Sequence, residues 1–243
     1  MAQVAAQLNH PSVSDEIDDI IHGVKKNTRN ERFRNMKILL VNGSPHENGC
    51  TRAALDEVAR ELKVQGVESE VFWIGTEPLA GCIGCGSCRR DGVAGCFRND
   101  RVNEFIALAD GADGFVFGTP VHWASASGAI TSFMDRVFFA AGGKMRGKPA
   151  ACVASARRAG TTAALDQLNK YFYICGMPVV PSQYWAMVHG AMREDVAQDL
   201  EGLQTMRTLA RYMAWMLKCF AVGKAAGFAV PELEPCTRTN FIR

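Results

Sequence analysis

"MKILLVNGSPHENGCT", residues 36–51, joins an apolar run to a polar, glycine-bearing loop and then to a helical pattern. The run from Met36 to Gly43 has the composition of a strand buried on both faces, as the strands of parallel sheets are. From Thr51 the apolar residues Leu55, Val58 and Leu62 recur at helical spacing, ending near Gly66. A strand that feeds a short loop and then a helix is the first half of a βαβ unit.

The same alternation continues to the end of the chain. Strands are expected at 67–75, 114–118, 149–156 and 177–185, the last with Pro181 marking an edge or an end. Helical stripes fall between them: Val102, Phe105, Ile106, Ala109; then Ile130, Phe133, Met134, Val137; then Leu165, Leu168, Phe172. Leu209, Met213, Leu217 and Phe220 mark a long final helix, placed with its tail in 191–243. Strand and helix alternate five times. Right-handed crossovers then build a parallel sheet with helices on both faces, a three-layer α/β domain over 36–190. Residues 1–35 read as an appendage, with Ile17, Ile20, Ile21 and Val24 forming an amphipathic helical arm before the basic linker KKNTRNERFR.

Composition narrows the class. The chain has 243 residues, 48% hydrophobic and 21% charged, with net charge +2. That suits one large domain and gives no electrostatic reason to bind nucleic acid or an acidic membrane surface. No signal peptide and no span of about 18 uncharged apolar residues are visible. The expectation is a cytoplasmic protein, whose thiols stay reduced.

Residues 42–51 sit between a strand and a helix N-terminus, where free N–H groups and the helix dipole attract anions. Ser44, Asn48 and Thr51 add donors, and Gly43 and Gly49 permit close approach. A Walker A loop needs a lysine that is absent here, and the dinucleotide fingerprint G-x-G-x-x-G is absent too. Hydroxyls without lysine suit a monophosphate that needs no Mg²⁺, as in FMN; an ordinary polar turn is the alternative.

G-S-P-x-x-x-G-x-T in this loop resembles the phosphate loop of the NADPH-dependent FMN reductases, a flavodoxin-like group. GTPVHW (118–123), followed by a helix and Asp135-Arg136, is similar to their second flavin loop, and SARRAGT (155–161) to their third. The resemblance covers about residues 36–190. It implies strand order 2-1-3-4-5, with FMN at the carboxyl ends of the strands where the order reverses. Ser44, Asn48 and Thr51 would then hold the phosphate, and Pro120, Val121, His122 and Trp123 would line one edge of the isoalloxazine. Arg157 or Arg158 would face its N1/C2 edge, and Gly160 would admit the ring. Homodimers or homotetramers are the expected assemblies, with the N-terminal arm and the last helix as the contact.

GCIGCGSCRRDGVAGC (81–96) places Cys82, Cys85, Cys88 and Cys96 at C-x2-C-x2-C-x7-C, four of nine cysteines in fifteen positions. This spacing approaches that of cubane cluster sites, and iron–sulfur flavoproteins of the same group carry C-x2-C-x2-C after their second strand. A [4Fe–4S] cluster is the leading expectation, with Arg89 and Arg90 offsetting its charge. Zinc and bare thiols filling a tight loop are the alternatives. Cys50, Cys152, Cys175, Cys219 and Cys236 read as apolar filler. The resulting expectation is an FMN-dependent oxidoreductase. It would take electrons from NAD(P)H or a ferredoxin-type donor and pass them to a quinone, a flavin or another small acceptor. A flavodoxin-like carrier and a thiol- or zinc-based redox sensor are the alternatives.

Overall fold

The computed structural model describes residues 36–239 and 241. The helical arm expected over 1–35 lies outside the described residues. The order is β1 (Lys37–Asn42), α1 (Cys50–Val64), β2 (Glu68–Trp73), α2 (Arg101–Ala109), β3 (Gly114–His122), β4 (Ser125–Ala126), α3 (Gly128–Met145), β5 (Ala150–Ala156), α4 (Thr161–Ile174), β6 (Met187–His189), α5 (Arg193–Val196) and α6 (Leu200–Ala225). The sheet runs β2-β1-β3-β5-β6, and these neighbours pair in parallel. This is the doubly wound order 2-1-3-4-5 expected from the sequence. One strand is added to the sheet: β4, two residues long and antiparallel to β3.

β1 shows why the sheet needs cover on both faces. Ile38 and Leu40 face one core with Leu55, Val58 and Leu62 of α1 and Met206, Leu209 and Met213 of α6. Leu39 and Val41 face the other, with Phe105 of α2, Phe133 of α3 and Leu168 of α4. Period-2 strand geometry sends successive residues of one run to opposite layers. Every apolar residue that marked α2, α3 and α4 in the sequence is buried.

Two expectations need correction. The fifth strand is not continuous over 177–185. Val180 N–H donates to the Ala150 carbonyl and the Pro178 carbonyl accepts from Ala150, but pairing then stops until Ala186 and β6. Pro178 and Pro181 cannot donate to a ladder, so the segment pairs in two short pieces. The second concerns Phe220, which was placed on the packing stripe of the final helix and is exposed instead. Lys218 already reaches the carbonyl of Gln65, the C-cap of α1, so the last turns of α6 run beyond the helix they pack on.

Candidate functional site

The carboxyl ends of β1, β3 and β5 are adjacent, and the order reverses between β1 and β3. The loops that follow these strands meet there. Gly43 N–H donates to the Gly118 carbonyl at 2.9 Å, and Ser127 Oγ donates to the Gly43 carbonyl at 3.2 Å. A Cβ on Gly43 would stand 2.7 Å from the Gly118 oxygen, so only glycine permits this approach. Thr51 Oγ1 and Ser155 Oγ are 2.8 Å apart, which ties the start of α1 to the end of β5.

In the first loop, Asn42 is fully buried and shapes the turn. Its Oδ1 accepts from Ser44 N–H at 3.1 Å and its amide donates to the Glu47 carbonyl at 3.0 Å. Ser44 Oγ accepts from His46 N–H at 3.1 Å, and the Ser44 carbonyl accepts from the Trp73 indole at 2.8 Å. Pro45 to Asn48 form the exposed rim. α1 then starts at Cys50 from Gly49, with no side-chain cap and no acid in its first turn. An uncapped helix start with no acid in its own first turn suits an anionic group, although burial and the nearby Asp195 and Glu194 of α5 push the Cys50 thiol up. Asn48 is exposed on this rim. The Thr51 hydroxyl is buried in its bond with Ser155, so what Thr51 offers the loop is its backbone N–H.

The second loop is a hairpin. β3 extends to His122, four residues past the end expected from the sequence, and returns as β4. Trp123 and Ala124 make the turn with φ of 51° and 59°, the left-handed pair a two-residue type I′ hairpin demands and glycine or asparagine usually supplies. The turn lifts Trp123 into full exposure, which rules out a core role for the ring, while Pro120 and Val121 are half-buried and His122 is exposed. The third loop supports the second. Gly160, at φ 98°, lies so close that a Cβ there would be 2.6 Å from Ala124 Cα. Arg157 and Arg158 are exposed and make no ion pair among the described residues. His189 of β6 donates Nε2–H to the Arg158 carbonyl at 3.2 Å, which fixes the loop from its far side.

All four cysteines of the 81–96 run line one cavity of about 100 Å³, with Ile83, Phe97 and Phe139 as apolar wall and Arg89, Arg98 and Arg136 as basic wall. Gly84 and Gly86 hold φ near +65 to +69°, with open space where a Cβ would sit; the turn, not crowding, requires glycine there. Hydrogen bonding to Ser87 holds the Cys85 thiol below its ordinary range, with Arg90 adding to it. That favours the thiolate a metal ion needs. Among the described residues no three histidine, cysteine or acidic side chains already stand at metal-ligating separation. The donor set nevertheless fits a thiolate-bound metal centre: four cysteines line one cavity, no carboxylate lines it, and three arginines stand in its wall to balance thiolate charge.

Two contributors went unread in the sequence. Arg136 of the Asp135-Arg136 pair is 2% exposed and donates to Cys96 Sγ at 3.4 Å and to Asp100 at 2.6 and 2.9 Å. Burial works against its charge, but Asp100 and Cys96 outweigh burial and hold its pKa above the ordinary arginine value. Asn103 binds the backbone of Cys96 through both ends of its amide. The sequence marks the Asp135-Arg136 pair only beside the second flavin loop, and no spacing ties either residue to the cysteines, because the contacts join residues 36 to 40 positions apart or turn a loop back on a helix. The scattered cysteines also differ from expectation: Cys152 is buried, but Cys219 and Cys236 are exposed.

Comparisons with known proteins agree with this geometry. The model of the NADPH-dependent FMN reductase family matches residues 36–191. An iron–sulfur flavoprotein of Methanocaldococcus jannaschii is 29% identical over 193 residues, spanning 75% of this chain and 98% of the relative. Among solved structures, RosB with bound 8-demethyl-8-formylriboflavin-5'-phosphate superposes with a TM-score of 0.58 at 14% identity, covering 86% of this chain and 96% of that one. A WrbA-like flavodoxin from Agrobacterium tumefaciens superposes with a TM-score of 0.52 at 18% identity, covering 76% and 98%. The two structural likenesses concern the fold, and the match over the three loops concerns the family. With its flavodoxin-like sheet and its three loops meeting at the switch point, the chain belongs to the NADPH-dependent FMN reductase family.

Proposed function

We propose that this protein is an FMN-dependent oxidoreductase. It takes electrons from NAD(P)H or a ferredoxin-type carrier and passes them to a quinone, a flavin or another small acceptor. A [4Fe–4S] centre on Cys82, Cys85, Cys88 and Cys96 serves as relay. The observation that carries this reading is the meeting of the loops after β1, β3 and β5 around an uncapped helix start, on a sheet whose second strand leads into a cavity lined by four thiols. When bound, FMN supplies the hydride and electron chemistry, and the cluster supplies single-electron transfer.

The chain's own residues hold and bias that chemistry. Ser44, Asn48 and the first N–H groups of α1 bind the phosphate. Pro120, Val121 and His122 form an edge of the ring site, and Trp123 stands over its mouth. Arg157 and Arg158 bring positive charge to the third loop, where it favours an anionic reduced cofactor. Gly160 keeps the second and third loops close enough to share one site. The exposed aromatics Tyr184, Trp185, Tyr212 and Trp215 support a homodimer or homotetramer. No helix among the described residues is long and apolar enough to cross a membrane; the location that goes with the proposed thiolate centre is the cytoplasm, where thiols stay reduced.

The test is anaerobic purification with flavin, iron, sulfide and zinc analysis, followed by steady-state NAD(P)H oxidation with a quinone. Stoichiometric FMN, iron with matching sulfide, and turnover well above that of free FMN are expected. A colourless protein that refuses added FMN overturns the flavin reading. Zinc in place of iron overturns the relay alone.

A further inference from the structure

Cys96 is supported differently from the other three cysteines of its run. The thiol contacts of Cys82 and Cys85 are local: Gly84 N–H donates to Cys82 Sγ and Cys85 Sγ pairs with Ser87. The Cys88 thiol donates to the Phe139 carbonyl at 3.7 Å. Cys96 is held from two helices. From α2, Asn103 Oδ1 accepts from Cys96 N–H at 2.8 Å, and its Nδ2 donates to the Cys96 carbonyl at 2.8 Å and the Arg98 carbonyl at 3.0 Å. From α3, Arg136 Nε donates to the Cys96 sulfur at 3.4 Å.

Arg136 has no freedom to do anything else. Nη1 donates to Asp100 at 2.6 Å and to the Ala80 carbonyl at 3.4 Å, and Nη2 donates to Asp100 at 2.9 Å and to the Arg98 carbonyl at 3.3 Å. With the Nε bond to Cys96, all five N–H groups of a guanidinium have acceptors. Ala80 precedes the first cysteine and Arg98 follows the last, so one buried side chain closes both ends of the loop. Asp100, its ion partner, also caps α2 through Val102 N–H.

We propose that Arg136 is the positioning residue of the cysteine site. It presets Cys96 as the anchor ligand and pins the base of the loop. It also sets a fixed positive charge and an N–H donor against a ligand sulfur. Donors and charge at a ligand sulfur stabilise the more negative, reduced state of a metal centre and slow ligand loss. The inference rests on the reading of the run as an iron–sulfur site.

The experiment uses the full chain, reconstituted anaerobically with ferrous iron and sulfide. Wild type is compared with Arg136→Lys, Arg136→Met and Asn103→Ala. Two quantities are read: the rate of iron release to a ferrous chelator, and the cluster midpoint potential from a redox titration followed by electron paramagnetic resonance. FMN content and circular dichroism report folding. Lysine keeps the charge without the planar fork, and methionine keeps neither. Iron release about tenfold or more faster is expected for both arginine variants, with a more negative potential for Met and a near wild-type potential for Lys. Asn103→Ala should speed release without moving the potential, because it touches only backbone.

Variants that match a loaded wild type in both readouts overturn the role of Arg136. A potential shift in Asn103→Ala as large as in Arg136→Met overturns the charge argument. Should Arg136→Met fail to fold, Arg136→Lys decides, and wild-type iron release from it overturns the proposal. Wild type that takes up no iron removes the iron–sulfur reading itself, and this inference with it.

Discussion

Trp123 and Ala124 hold left-handed backbone space that costs an ordinary L-residue about 1–2 kcal/mol. Trp123 is also fully exposed, so its ring recovers nothing from the core. A large apolar residue kept in strain and in solvent, on the loop proposed to edge the flavin, fits a role in binding and not in stability. Trp123→Gly is expected to raise the melting temperature of the flavin-free protein by about 2 °C while weakening FMN binding; calorimetry and a fluorescence titration check both. Gly160→Ala acts the other way. Its φ of 98° and the 2.6 Å approach to Ala124 leave no room for a methyl group, so a loss of about 2–3 kcal/mol is expected in thermal unfolding, with loss of bound flavin. Ser44→Ala should weaken FMN retention about tenfold, through one charge-assisted hydrogen bond. Unchanged occupancy after dialysis would count against the loop assignment. The glycines and hydroxyls of the first loop could be read in the sequence because each sits at a fixed offset from a strand end. The strained turn could not, because Trp-Ala is not a residue pair that signals a type I′ hairpin.

Between elements, α1 and α6 are joined by apolar contact and by a row of ion pairs. Glu57 accepts from Arg60 of its own helix and from Arg207 of α6, and Glu61 accepts from Arg211. Burial raises the Glu57 pKa, but Arg60 and Arg207 outweigh it and hold the carboxyl below its ordinary 4.5; Glu61 is lowered chiefly by Arg211. A carboxyl with a depressed folded pKa stabilises fully above the unfolded value and loses that stability as pH falls through the folded one. Docking of α6 should therefore be constant above about pH 5 and weaken in the acid range below 4.5, read by hydrogen exchange along 200–217. Glu57→Gln should cost about 1–2 kcal/mol at neutral pH, and the gap from wild type should close in acid. At this scale the helices were legible because their apolar stripes recur at fixed intervals. The strand expected over 177–185 is not continuous because two prolines inside an apolar run leave its hydrophobicity intact while removing its ladder donors.

For the molecule as a whole, the three loops and the cysteine run all leave the carboxyl ends of strands of one sheet. The aromatic surface lies elsewhere. Gln183 bonds Thr208 at 2.6 Å, one helical turn before Tyr212, so Tyr184 and Trp185 neighbour the exposed side of α6 that carries Tyr212 and Trp215. A homodimer or homotetramer is expected in analytical ultracentrifugation, and Trp215→Glu should shift it toward monomer. A monomeric wild type would remove that surface as a contact.

Sequence alone determined the fold class, the strand order through the resemblance, and which three strand-end loops would meet. Periodicity and strand-end loops are local properties, written within a few residues of one another. Only the tertiary structure decided what Thr51 bonds to, where the chain turns at Trp123, and which arginine, beyond Arg89 and Arg90, hydrogen-bonds a thiol of the run. Arg89 and Arg90 stood out because they adjoin Cys88. The arginine that binds Cys96 is Arg136, forty residues away on another layer, brought there by the packing of α3 against the loop. Contacts of that range depend on how layers stack, and no spacing along the chain records them.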